Sequence, residues 1–589
     1  MNESLSGSSS NGEIYRIKTE SMGKTMIDLK AKPFYLDDRQ IEWVEQTLAG
    51  MSMDQKAEQL FCPLLQFADK GFADHILGNY EFGAVMMRVN GAAETQEIIN
   101  YLQEKSTIPM LVAANFEDGG NGISREGTYM GRQMLIAATD EEEQAYRLGK
   151  ICGKEGAAVG ANWAFAPVLD VDLNYHNPIT NVRTYGSDFH RTIRMGRSYI
   201  RGLTEEGLIP SIKHFPGDGV DYRDQHLMTS VNSLSVEQWE EIYGQIYRTM
   251  IEEGAMTAMV GHIAMPAMEE KFDGKPCEKV IPGSCSKNIM TNYLRGELGF
   301  NGLISTDASP MVGLLSNTRR SESVPDCIEN GADMLLFTKD LDEDVRYMKE
   351  GIRSGRLSQT RLNEAVTRIL AVKAAMRLPE KKADGSIFRT AEDLKAVGCA
   401  EHQAWARECA DKGVTLVKDT VGLLPLSAKK YPRVLFELLG DFESNERVGA
   451  QFVELLTKEG FAVTTYVPET LETIFQNSAV ETFKQNYDLV IYVGNIENAS
   501  NKTTARISWH TLFGAGNNLP WFAQEVPTLF ISVGNPYHLQ DVPMIHTYIN
   551  GYCHAPSVIE AVVEKIMGRS EFQGISPVDP FCGLWDTRL

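Results

Sequence analysis

Between about residues 55 and 340, short apolar runs alternate with longer stretches whose apolar residues recur at helical spacing. The runs fall at 57–65, 83–87, 109–114, 163–171, 208–212, 256–260, 302–306 and 334–337. Helical patterns such as 141–153, 191–206, 236–253 and 286–298 lie between them. Strand–helix alternation of this kind predicts parallel strands joined by crossover helices. Eight such units in roughly 300 residues suit a (β/α)8 barrel better than an open sheet. A mostly helical stretch follows at 339–412, with a loose section near 379–386 suited to a linker. A second alternating block has strand-like runs at 433–439, 461–467, 489–493, 528–533 and 545–550, with helices at 447–460 and 555–567. The expected class is α/β. A polar tail (1–30) leads into a barrel (31–378), a linker with a helix (379–412) and a smaller three-layer αβα sandwich domain (413–589).

Polar residues gather immediately after the runs. Asn115, Glu117 and Asp118 follow the third, Asp170 and later Arg183 the fourth, and Lys213 and His214 the fifth. His262 follows the sixth and Asp307 the seventh. In a barrel all these positions open onto one rim, where active sites form. Each taken singly reads as a cap or turn residue. Their convergence on one face is what a structural role leaves unexplained. The densest chemistry lies in 211–226, where an apolar run ends in Lys213-His214 and a Pro/Gly loop carries Asp224 and His226. An Asp so near a His can orient the imidazole and favour its charged form. Asp307 reads as a nucleophile, a metal ligand or a helix cap. A carboxylate nucleophile with a separate acid/base is what double-displacement glycoside hydrolysis requires.

Composition narrows the partners. The 589 residues exceed what one hydrophobic core holds, and 43% hydrophobic with 23% charged residues describes an ordinary globular chain. Against 79 Asp and Glu stand 57 Lys and Arg, and the net charge of −22 argues against nucleic acid or anionic membrane as a partner. No stretch approaches the ~18 apolar residues of a membrane span. The polar residues 1–12 lack the apolar core of a secretory signal. Nine scattered cysteines without a CxxC pair indicate neither a disulfide framework nor a zinc site. Together these features predict a cytoplasmic protein. Asn498-Ala-Ser and Asn501-Lys-Thr, which fit the glycosylation pattern, then read as chance. The second block holds no GxGxxG or GxxxxGK[ST], so nucleotide binding gains no support.

Several motifs, in order, resemble a known family. Lys213-His-Phe-Pro-Gly217, Asp224-Gln-His226 and Ser305-Thr-Asp307 are similar to signatures of glycoside hydrolase family 3, and most of all to its β-N-acetylglucosaminidase branch. Phe165-Ala-Pro-Val-Leu-Asp-Val-Asp172, Asn177-Pro-Ile-Thr-Asn-Val-Arg183, Leu294-Arg-Gly-Glu-Leu-Gly-Phe-Asn-Gly302 and Ser532-Val-Gly-Asn-Pro-Tyr537 extend the likeness over nearly all of residues 50–570. The resemblance implies that Asp307 is the nucleophile. It implies that His226, paired with Asp224 on a mobile loop, is the acid/base, and that Arg183, Lys213 and His214 bind the terminal sugar. Asn115, Glu117 and Asp118 compete for its far hydroxyls. Three departures stand out: Asp218 replaces the loop's usual His, Asn115-Phe-Glu-Asp-Gly-Gly120 replaces the usual Asp-Gln-Glu-Gly-Gly, and Gln225 replaces Ser or Thr within the Asp–His motif.

The activity so implied is that of a retaining exo-β-N-acetylglucosaminidase working through a covalent glycosyl-enzyme. It needs no cofactor and no metal, and it acts on an oligosaccharide or muropeptide fragment as a monomer or an oligomer. A β-N-acetylglucosaminide phosphorylase is one alternative, because an imidazole repels an incoming phosphate less than a carboxylate does. A β-glucosidase is the other within the family. Outside it stand a metal-dependent hydrolase built on His214, Asp218, Asp221, Asp224 and His226, and a non-catalytic sugar-binding protein. In the second block, Trp509, His510 and Trp521 are candidates for the site, although buried packing explains each more simply.

Overall fold

Pro63 interrupts the first strand of the barrel, and the two halves pair with different neighbours. The computed structural model describes residues 27–440, 442–467, 479–496, 498–509, 511–512, 515–516 and 518–589. Strand β1 comprises Phe61–Cys62 and Leu64–Leu65. Its first half pairs with β8 (Met334–Leu336) and its second with β2 (Ala84–Met87). Proline has no N–H to give a ladder, but the Pro63 carbonyl accepts from the Met86 N–H at 2.9 Å. The ring closes there. Between β2 and β8 run β3 (Leu111–Ala114), β4 (Trp163–Ala164), β5 (Ile209–Phe215), β6 (Thr257–Val260) and β7 (Leu303–Ala308), all parallel. The sheet has nine ladder segments, and counting the halves of β1 together leaves the eight strands of a (β/α)8 barrel. Every residue of β2 through β6 is buried, which is why these strands read as apolar runs without alternation.

Two runs are trimmed. Residues 57–59 belong to the helix Met53–Gln59, and β4 stops at Ala164. The rest of 163–171 is irregular and rejoins the barrel through a bridge between Val168 and Lys213, which carries Asp170 alongside β5. The section at 379–386 is not loose. It forms the helix Leu378–Asp384, and Lys382 Nζ donates to the Gln103 carbonyl at 2.6 Å. Of the expected tail, residues 27–30 are described and pack on the barrel. Leu29 is buried, and Asn301 Nδ2 donates to the Asp28 carbonyl at 2.8 Å.

The second block folds around a six-stranded sheet. Its strands are β9 (Thr415–Asp419), β10 (Arg433–Leu439), β11 (Ala462–Thr465), β12 (Leu489–Gly494), β13 (Thr528–Ser532) and β14 (Thr547–Asn550). The spatial order is β9-β14-β13-β12-β10-β11, and only the edge strand β9 runs antiparallel to its neighbour. Alternate residues face opposite cores. Phe436, Ile491 and Ile531 join a core with Phe452 and Val562 from the helices Asn445–Lys458 and Pro556–Ile566. Tyr492, Phe530 and Tyr548 join another with Phe522 and Phe483. Apolar layers on both faces make this the expected αβα sandwich. It docks on the barrel through the Tyr537 hydroxyl, which donates to Asp172 at 2.6 Å, and through Asn181 Nδ2, 3.2 Å from Asn535 Oδ1.

Below β8, at the end of the barrel away from the rim, the fully buried Asp333 accepts from Arg295 and Arg361 at 2.6 Å each and from the Ile304 N–H at 2.9 Å. Arg368 stands 3.6 Å away. Removing one partner of a buried ion network leaves uncompensated charge, at a cost of about 3–5 kcal/mol. Asp333→Ala is therefore expected to lower unfolding free energy by that order in denaturant titrations. A loss below ~1 kcal/mol would mean the arginines find water instead.

Candidate active site

Strand β5 runs out into the rim with its pairing to β6 shifted between Ile212 and Phe215. Such an irregularity re-aims side chains, and here both Lys213 and His214 are buried against rim partners. Lys213 Nζ lies 2.6 Å from Glu117 Oε1. Arg183 grips the same carboxylate with two bonds, Nε to Oε2 at 2.9 Å and Nη2 to Oε1 at 2.8 Å. Burial opposes charge on Glu117, yet the two cations outweigh it and hold its carboxyl well below the usual range. Two sequence-expected sugar ligands thus share an anion with a third. The half-buried Asn115 carboxamide makes no hydrogen bond to the described residues. Asp118 pairs through Oδ2 with Arg132 Nη1 at 2.9 Å and leaves its buried Oδ1 unmatched among the described residues. That orphaned oxygen favours Asp118 for a ligand hydroxyl.

His214 turns the other way. Its Nδ1 lies 2.6 Å from Asp170 Oδ2, and its Nε2 lies 4.0 Å from Asp307 Oδ2. Asp170 therefore orients the ring that faces Asp307, much as a second carboxylate orients a catalytic histidine. Asp307, near the end of β7, caps no helix. The next helix, Val312–Leu315, is capped by Met311. Its Oδ1 accepts only the following N–H, that of Ala308, at 2.7 Å. Burial works to raise its pKa, and the imidazoles of His214, His262 and His226 more than reverse this, so the carboxyl lies below its ordinary value.

His262, at the exit of β6, is fully buried. Its Nε2 is 2.9 Å from the Ala308 carbonyl and so must carry the proton, while Nδ1 accepts from the Ser284 hydroxyl at 2.7 Å. Burial pushes its pKa down, which fits that neutral tautomer.

The loop after β5 passes close beneath Asp170. Gly219 has φ +101°, and a Cβ there would lie 2.0 Å from the Val171 carbonyl, so only glycine fits. Farther along, Asp224 Oδ1 accepts from the His226 N–H at 2.8 Å and lies 2.7 Å from His226 Nδ1. The imidazole is partly exposed, and Nε2 makes no hydrogen bond to the described residues. That nitrogen is free to move a proton. Asp218, which stands where the resemblance led us to expect His, accepts from the Gly219 N–H at 2.7 Å and Asn177 Nδ2 at 3.2 Å. Burial and the neighbouring Asp170 push its pKa up to about 8. Asp221 pairs with Arg223 at 2.7 Å. Of the five residues of the metal-hydrolase alternative, Asp224 and His226 pair with each other, and His214, Asp218 and Asp221 each bond elsewhere. In the second domain Trp521 is 47% exposed rather than buried, Trp509 packs edge-on to Tyr492, and His510 lies outside the described residues.

A buried carboxylate ringed by imidazoles, with a carboxylate–imidazole pair across the rim and a cationic cluster beside it, is equipment for glycosyl transfer. Residues 52–372 match the glycosyl hydrolase family 3 N-terminal domain. The chain belongs to glycosyl hydrolase family 3. It is 43% identical, over 96% of its length and 100% of the relative's, to the β-N-acetylglucosaminidase/β-glucosidase of Cellulomonas fimi. Among solved structures it resembles the β-glucoside phosphorylase BglX bound to 2FGlc, at 44% identity with a TM-score of 0.90, covering 94% of this chain and 99% of that one. A family 3 β-N-acetylglucosaminidase from Paenibacillus sp. str. FPU-7 shares the fold, at 22% identity and a TM-score of 0.75, covering 91% of this chain and all of that one.

Asp218 sets a test of the electrostatics. Its folded pKa of about 8 exceeds an unfolded value near ~4. Between those values the folded state holds a proton that the unfolded state has lost, so this group's stabilisation declines as pH rises from about 4 to about 8. Asp218→Asn should flatten that part of the Tm-against-pH curve. Parallel curves for variant and wild type would show that Asp218 is ionised when folded.

Proposed function

We propose that the protein is a retaining exo-β-N-acetylglucosaminidase that releases terminal β-linked N-acetylglucosamine from oligosaccharides or muropeptide fragments. The observation that carries this reading is the Asp224–His226 pair, with its free Nε2 set at the same rim as an ionised Asp307. In the first step an Asp307 oxygen bonds to the anomeric carbon, the glycosidic C–O bond breaks, and His226 Nε2–H protonates the departing oxygen. In the second, His226 takes a proton from water as water attacks that carbon, and Asp307 leaves as the carboxylate. An imidazole already titrates near neutrality and needs no burial to serve as an acid there. Its partner Asp224, 2.7 Å from Nδ1, fixes the ring's orientation and leaves Nε2 toward the open side of the site. The Glu117–Arg183–Lys213 cluster and the open Asp118 oxygen supply buried donors and acceptors for the terminal sugar's hydroxyls. The dual name of the Cellulomonas fimi relative supports both this substrate and a β-glucoside.

Phosphorolysis is the second reading. After the first step the acid/base is a neutral ring rather than a carboxylate, so an anion can approach the anomeric carbon with little repulsion. Phosphate then replaces water, and the product is a sugar 1-phosphate. The resemblance to a β-glucoside phosphorylase supports it. Following products by 31P NMR in phosphate buffer, with aryl β-N-acetylglucosaminide and aryl β-glucoside compared, separates hydrolysis from phosphorolysis and one sugar from the other.

His226→Ala is expected to lower kcat/KM for poor leaving groups by about 10²–10⁴-fold and to spare kcat/KM for activated aryl glycosides, whose departure needs little protonation, while the slowed second step lowers kcat for both. Equal losses of kcat/KM on both would contradict the acid role. Asp307→Ala should leave the fold intact and remove turnover of every substrate. Retained turnover would place the nucleophile elsewhere.

A further inference from the structure

Gln225 lies between Asp224 and His226 and is 1% exposed, in a loop whose neighbour Tyr222 is 62% exposed. Its side chain binds at both ends. Oε1 accepts the His262 N–H at 2.7 Å, and Nε2 reaches Asp218 Oδ2 at 3.4 Å. Its own carbonyl accepts the Gly313 N–H and the His226 carbonyl accepts the Val312 N–H, each at 3.1 Å. Both donors belong to the segment that follows the nucleophile. His262 in turn bonds the Ala308 carbonyl, and the Ala308 N–H bonds Asp307. Three hydrogen bonds, joined through the covalent frames of His262 (main-chain N–H to ring) and Ala308 (carbonyl to N–H), therefore link the middle of the Asp–His pair to Asp307.

The pair is held from the opposite side as well. The Asp224 oxygen that does not face His226 accepts the Asn501 main-chain N–H at 2.7 Å. Asn501 belongs to the second domain and has φ +68°. Asp224, itself 2% exposed, thus has one oxygen on the imidazole and one on the other domain.

We infer that Gln225 is a positioning residue for the proton-transfer step, and that the Asn501 N–H makes the second domain part of the same clamp. The inference rests on reading Asp224 and His226 as the acid/base. The loop then acts as a fixed bracket. A buried polar side chain with both ends bonded admits few alternative placements, and misplacing a catalytic group by ~1 Å costs about 100-fold in rate. A rotated imidazole loses proton transfer while leaving sugar binding and Asp307 in place.

The experiment uses the full chain. Gln225→Met keeps the length of the side chain and removes both bonds, and Gln225→Ala accompanies it. For a poor leaving group, kcat is expected to fall about 10- to 100-fold with KM little changed. For an activated aryl glycoside, kcat/KM, which reads the first step alone, should stay within about threefold, whereas for the poor leaving group kcat/KM falls with kcat. Asn501→Pro, which deletes the N–H and also forces the backbone away from φ +68°, withdraws the clamp in both ways and should show the same selectivity, and Asn501→Gly, which keeps the N–H and tolerates the positive φ, should not. If Asn501→Pro fails to fold, Gln225→Met still decides the matter. Unselective losses, or none, in a Gln225→Met protein with wild-type Tm would overturn the inference. His226→Ala run alongside separates the two possible failures. If it shows the selectivity and Gln225→Met does not, only the positioning role falls. If His226→Ala lacks it too, the acid/base assignment falls first.

Discussion

A carboxylate that is buried must be surrounded by compensating charge or it takes up a proton. That constraint organises the rim. Among the described residues Asp307 has one hydrogen bond, from its own neighbour's N–H, and no lysine or arginine partner. Burial works against its charge, and facing imidazoles, His214 on β5 first and His226 on the loop after it among them, hold its carboxyl below the ordinary value, while the neutral His262 braces the Ala308 carbonyl beside it. Imidazoles suit a nucleophile better than a guanidinium would. They favour the anion without engaging both of its oxygens, so one oxygen stays free to form a bond. Glu117 shows the contrasting arrangement, with both oxygens taken by Arg183 and Lys213. It is a fixed element of the site, suited to holding a ligand and its neighbours in register.

Stability and chemistry occupy opposite ends of the barrel. At the floor Asp333 gathers three arginines, and every charged atom it offers is saturated. Among the described residues the arginines themselves keep unmatched nitrogens, Arg295 Nε, Arg361 Nη1 and Arg368 Nη1, whereas at the rim a buried carboxylate oxygen, Asp118 Oδ1, is unmatched and His226 Nε2 is open to solvent. Unmatched buried polar atoms are costly in a folded protein, and they persist where function requires them. The parallel barrel permits this division because each strand contributes one residue to the core layers and another to the loop above it.

The barrel was legible because strands buried on both faces become plain apolar runs, and five of the eight, the third to the seventh, ended where the candidate polar residues began. The reading failed where local signals had other causes. Pro379 suggested a linker, but proline is tolerated in the first turn of a helix, and Gly385 closes that helix in the left-handed conformation. Strand β9 escaped notice because an antiparallel edge strand, half exposed as Thr-Leu-Val-Lys-Asp, carries little hydrophobic pattern. In the site, the pairing of Asp224 with His226 was readable from a two-residue spacing. The partners that give the other residues their roles lie far away in sequence. His214 and Asp170 are 44 residues apart, Gln225 and His262 are 37 apart, and Asp224 and Asn501 are 277 apart. Asp218 stood out in the sequence as a departure from the family's usual His and as a metal-ligand candidate, but its raised pKa comes from burial beside Asp170, which no spacing reveals.

The long-range contact between Asp224 and Asn501 bears on why the enzyme has a second domain at all. Asp307, His214 and His262 all come from barrel strands or their exits and need no help to find their places. The Asp224–His226 pair differs, because it sits on the long loop between β5 and the short strand Ser230–Val231, held to the rim by scattered hydrogen bonds rather than by a ladder. A loop of that length has entropy to lose before its histidine points at a glycosidic oxygen. A main-chain donor from a domain docked elsewhere, through Tyr537 on Asp172 and Asn535 on Asn181, supplies part of that ordering without adding another charge near the nucleophile. A lysine in the same place would also hold Asp224, but it would compete with the imidazole for the carboxylate's charge and weaken its support of the imidazolium. A neutral N–H fixes position and leaves the electrostatics to the pair.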